Sequence, residues 1–122
     1  MSRVVHFEMG VDDPERALAF YGTVFGWKTN KFDGPQAYWL VTTGPDDQPG
    51  INGGIMRRRE DMPPTFNTIG VSSVDEVLAK IAANGGTIVM PKSPIPGIGY
   101  QAYYKDTEGN MFGLHQFDPS AE

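Results

Sequence analysis

Apolar and polar residues alternate at the start of the chain, with Val5, Phe7 and Met9 on one side and His6 and Glu8 on the other. This period of two predicts a strand over 4–9. The period then lengthens. Asp13 suits an N-cap, Pro14 the first helical position and Glu15 the positive end of the helix dipole, while Ala17, Leu18, Tyr21 and Val24 recur at helical spacing up to Gly26. Strands are predicted over 27–32, 36–43 and 51–57, separated by Asp33-Gly34-Pro35 and by the Gly- and Pro-rich stretch 44–50.

A charged linker with Pro63-Pro64 covers 58–65, and the order then begins again. Residues 66–71 read as a strand. Ser73 and Glu76 form a capping box, Val74, Val77, Leu78 and Ile81 make the apolar stripe of a helix, and Gly85-Gly86 stops it. Strands follow over 87–90, 99–104 and 110–117, with 91–98 read as a Pro-rich loop that either closes over a ligand as a lid or covers a sheet edge. The turn before the last strand is Asp106 to Asn110, rich in residues that tolerate tight backbone states.

The two halves align at one offset. Sixty residues separate Gly10 from Gly70, Val11 from Val71, Leu18 from Leu78, Tyr21 from Ile81 and Gly26 from Gly86. A βαβββ order that occurs twice is an internal repeat. The predicted fold is α+β: two tandem modules, 3–57 and 66–118, in a single domain over 1–122. Its curved, mostly antiparallel sheet is expected to surround a cleft in which the function sits.

Composition narrows the function. The 122 residues suffice for one core, and the absence of Cys excludes disulfides, thiolate metal sites and a Cys nucleophile. A net charge of -5 and a pI near 4.9 argue against nucleic acid and anionic membrane surfaces. Arg57-Arg58-Arg59 is followed at once by Glu60 and Asp61 and reads as a solvated linker. With no signal-peptide core and no membrane-length apolar run, the expectation is a soluble cytoplasmic protein. No Ser-His-Asp arrangement is evident, and no Gly pair opens a helix as a phosphate loop would.

His6 on the first strand, the helix Asp-Pro-Glu-Arg-Ala-Leu-Ala-Phe-Tyr over 13–21, Val24-Phe25-Gly26-Trp27, and Asp106-Thr107-Glu108-Gly109-Asn110 before the last strand together resemble the vicinal oxygen chelate superfamily. That superfamily includes glyoxalase I, extradiol dioxygenases, and the bleomycin and fosfomycin resistance proteins. In its metal-using members, each module supplies one ligand from its first strand and one from its fourth. The resemblance puts these positions at His6 and Phe66 on the first strands and at Gly53 and Gly113 on the fourth. One donor in four does not hold a catalytic metal.

The expectation is therefore a small-molecule binding protein of the glyoxalase/bleomycin resistance type, without a cofactor and taking an aromatic or hydrophobic ligand. The candidate ligand-binding residues are His6, Glu8, Trp39, Gly53, Phe66, Thr68, Tyr103, Gly113 and His115. Of Tyr38 and Trp39, alternation sends one to each face, and sequence does not say which faces inward. His6 and Glu8 are also the candidates for a general acid/base pair. The alternative is a metal-dependent glyoxalase-like lyase or isomerase, or a dioxygenase, with a divalent metal at His6, Glu8 and His115. A homodimer is expected from the resemblance.

Overall fold

The computed structural model describes residues 2–122. The chain forms two compact units, one over 6–66 and one over 67–122 that also takes in the chain up to Val5. In order, the elements are β1 (Arg3–Val11), α1 (Pro14–Phe25), β2 (Lys28–Phe32), β3 (Tyr38–Thr42), β4 (Asn52–Arg57), β5 (Thr65–Gly70), α2 (Val74–Ala83), β6 (Thr87–Ile95), β7 (Gly99–Lys105) and β8 (Met111–Phe117). The βαβββ order occurs twice.

In the first unit the strands run in the order β2-β3-β4-β1. β1 is parallel to β4, and the other two pairings are antiparallel. The helix α1 starts where Asp13 accepts a hydrogen bond from the Arg16 amide at 3.2 Å and ends at Gly26, whose φ of 72° is easiest for a residue without a Cβ. After this cap Trp27 returns beneath the helix, stacking on Tyr21 at 4.9 Å and meeting Phe7 at 5.7 Å. Ile55 and Val41 are buried. They share a sheet face with Phe7 and Met9, because Ile55 lies opposite both Met9 and Trp39. The outer surface of α1 keeps Phe20, Val24 and Phe25 exposed, whereas the repeat-related residues of α2 and its end are Lys80, Asn84 and Gly85.

The second unit repeats this arrangement as β5-β8-β7-β6. Ser73 caps α2 by accepting from the Glu76 amide, and Gln116 on β8 accepts from the Val74 amide at 2.9 Å, so two helix-end donors are satisfied. Val71, Val74, Ala102 and Leu114 form the core, with Ile69 and Leu78 packed against it.

The Pro-rich segment expected as a loop over 91–98 is mostly strand, since β6 continues to Ile95 and only a tight turn at Gly97 separates it from β7. Prolines are tolerated there because β6 is the last strand in this order and because register shifts interrupt its pairing with β7 on both sides of Met90. A lid is therefore not what this segment forms. Among the described residues, no helix is long and apolar enough to cross a membrane.

Candidate functional site

The sheet face opposite α1 is built by alternation. His6 and Glu8 lie on it, Gly54 stands across from Glu8 on β4, and Leu40 stands across from Gly54 on β3. Two residues before Leu40 is Tyr38, which therefore points the same way. Its hydroxyl donates to Glu8 Oε1 at 2.6 Å and lies 2.8 Å from His6 Nε2, while His6 Nε2 and Glu8 Oε1 are 3.5 Å apart. Three side chains from two strands thus meet at one oxygen.

Gly54 makes the meeting possible. Strands lie about 4.8 Å apart, so a side chain on β3 has to pass over β4 to reach β1. A Cβ on Gly54 would overlap the Tyr38 hydroxyl and ring. The residue is glycine because the phenol occupies the space its side chain would need.

This geometry corrects two sequence expectations. Trp39 lies on the helix side of the sheet, across from Ile55, with the Lys31 ammonium 5.8 Å from its ring. Tyr38 takes the place expected of Trp39, and strand parity is the reason. Gly53 also faces the helix side, where a Cβ would come within 2.5 Å of the Phe7 ring. The residue corresponding to Gly113 is Gly54: Thr68 lies sixty residues beyond Glu8, but Gly113 lies 59 beyond Gly54, and Glu8 pairs with Gly54 as Thr68 pairs with Gly113. One residue fewer in the second module between these strands changes the offset and exchanges the faces.

In the second unit Thr68, Gly113 and Tyr103 stand in one row across β5, β8 and β7. A Cβ on Gly113 would come 2.8 Å from Thr68 Oγ1 and 3.4 Å from the Tyr103 ring, so a tyrosine again leans on a fourth-strand glycine. His115 shares this face, across from Gly70 and Gln101. Phe66 and Thr68 are buried. A groove of about 480 Å³ lies elsewhere, beside α1, lined by Met9, Arg16, Phe20, Tyr21, Arg58 and Pro64 among others, and none of the candidate site residues borders it.

A divalent metal of the family type does not fit these residues. Gly54, Gly113 and Phe66 offer no side-chain donor, and His6 Nε2 is already engaged by Tyr38. Among the described residues, no group of three or more His, Cys, Asp or Glu side chains could hold a metal ion.

The bleomycin resistance protein-like N-terminal family matches residues 3–44. Over 113 residues the chain is 30% identical to CFP32 of Mycobacterium tuberculosis, a protein with a provisional glyoxylase name, covering 89% of this chain and 43% of that protein. The chain thus spans less than half the length of the curated relatives it matches. Among solved structures, methylmalonyl-CoA epimerase from Mycobacterium tuberculosis superposes with a TM-score of 0.71 at 14% identity, covering 96% of this chain and 89% of that one. A Streptomyces coelicolor methylmalonyl-CoA epimerase variant in complex with 2-nitronate-propionyl-CoA gives 0.73 at 15% identity over 100% of this chain and 99% of that one. At such identities the structural likeness speaks for the fold. With the matched first module and the curated relatives beside it, the chain is similar to proteins of the vicinal oxygen chelate superfamily.

Proposed function

We propose that the chain is a small-molecule binding protein of the glyoxalase/bleomycin resistance type that works without the standard metal quartet. The observation that carries this reading is the Tyr38 phenol lying over Gly54, where the family's fourth-strand carboxylate would stand, with its hydroxyl shared by His6 and Glu8. The same face supports an aromatic or hydrophobic ligand body: Phe32 meets Tyr38 edge-on at 6.4 Å, and Leu40, 42% exposed, lies next along the strand on that face.

The test pairs metal content with a thermal-shift screen. Purified protein is expected to carry no stoichiometric Zn, Ni, Mn or Fe and to gain melting temperature from apolar aromatic metabolites, since a ligand bound only to the folded state stabilises it. Stoichiometric metal, released by His6→Ala or His115→Ala, would instead establish the metal-dependent lyase, isomerase or dioxygenase reading.

A further inference from the structure

The direction of the hydrogen bonds around Tyr38 identifies the chemistry of the ligand. A phenol has one proton, and Tyr38 gives it to Glu8 Oε1 at 2.6 Å. The 2.8 Å contact with His6 Nε2 is then a hydrogen bond only if Nε2 carries a proton and donates it to the phenol oxygen. The chain runs from His6 through Tyr38 to Glu8, and both donors are spent inside it. What remains is Glu8 Oε2 and, on a neutral imidazole, His6 Nδ1, both acceptors. The trio has no donor left for an anionic oxygen.

Burial adds the sign of the charge. The Glu8 side chain is 12% exposed and that of His6 26%, so the carboxylate keeps only a little contact with water. An apolar ligand covering it would strip its remaining water without replacing it. A cation would replace that water with a charged hydrogen bond. Building on the metal-free reading above, we infer that the ligand of this face carries an ammonium or guanidinium group on an apolar or aromatic body, with the cation at Glu8 Oε2. A carboxylate, phosphate or enolate finds only lone pairs and like charge there.

Two probes of similar size separate the alternatives: phenethylammonium and hydrocinnamate, titrated by NMR at about pH 8.5, where an ordinary imidazole is neutral. The ammonium is expected to shift the His6 ring resonances and to bind about tenfold or more tighter than the carboxylate. Glu8→Gln, which keeps an acceptor for Tyr38, is expected to abolish that preference while the fold persists. Equal or tighter binding of hydrocinnamate, a preference unchanged in Glu8→Gln, or no binding of either probe to folded, metal-free protein overturns the inference and leaves the metal-free reading standing. Stoichiometric metal at His6 overturns both.

Discussion

The Tyr38 hydroxyl lies 2.6 Å from Glu8 Oε1 although β4 runs between their two strands. The contact draws a largely buried carboxylate and an imidazole onto one oxygen. Tyr38→Phe keeps the ring and removes only this oxygen, so the loss should appear as stability. Urea unfolding is expected to report about 1–3 kcal/mol, the cost of leaving polar groups unpaired in a partly buried place. A loss below about 0.5 kcal/mol, the scale of an ordinary surface change, would mean that the trio does not form in solution.

Gly54→Ala places a methyl group where the phenol lies. Overpacking of this kind costs about 1–3 kcal/mol. The same change in a Tyr38→Ala background should cost much less, giving a coupling energy on the order of 1 kcal/mol in a double-mutant cycle. Additive losses would mean that Gly54 is required for a backbone reason unrelated to Tyr38.

Asp106 organises the turn before β8, accepting from the backbone amides of Asn110 at 2.9 Å and Glu108 at 2.8 Å. These bonds hold its carboxyl below the ordinary 3.8. A depressed folded-state value stabilises the fold above about pH 3.8, and the contribution is lost as pH falls through the lower folded value. Asp106→Asn should therefore lower the melting temperature at neutral pH, with the gap to wild type closing under acid. A gap that stays constant from neutral pH to pH 2, about two units under the ordinary carboxylate value, would contradict the charge-assisted bonds.

Ser73 accepts from the Glu76 amide at the start of α2. Ser73→Ala is expected to cost about 1 kcal/mol, read from urea unfolding, and Ser73→Asp to restore most of it. Equal stability of Ser73→Ala and wild type would assign the cap to Gln116, which already accepts from the neighbouring Val74 amide.

The helix starts were legible because capping is local: Asp13 and Ser73 lie three residues before the amides they accept from. The repeated order was legible for a similar reason, each element carrying its own period and its own stop. Strand faces across a loop were not. Between Tyr38 and Trp39 nothing local decides, and the clue lies further along β3, where Val41 is 1% exposed and Trp39 shares its parity. The choice between Gly53 and Gly54 depended on carrying one offset through two unequal loops, and a single residue was enough to exchange the faces. Proline content concealed the length of β6 because prolines usually break strands, and only an outermost, bulged strand admits them.

Gly54 also gives the site a direction of change. A carboxylate introduced there meets a phenol already in its place, so that substitution by itself is not accommodated. Tyr38 would have to leave first, and its departure strips His6 and Glu8 of the oxygen that joins them. Either order passes through a weakened intermediate. The tyrosine and the glycine act together as a ratchet: each makes the other difficult to replace.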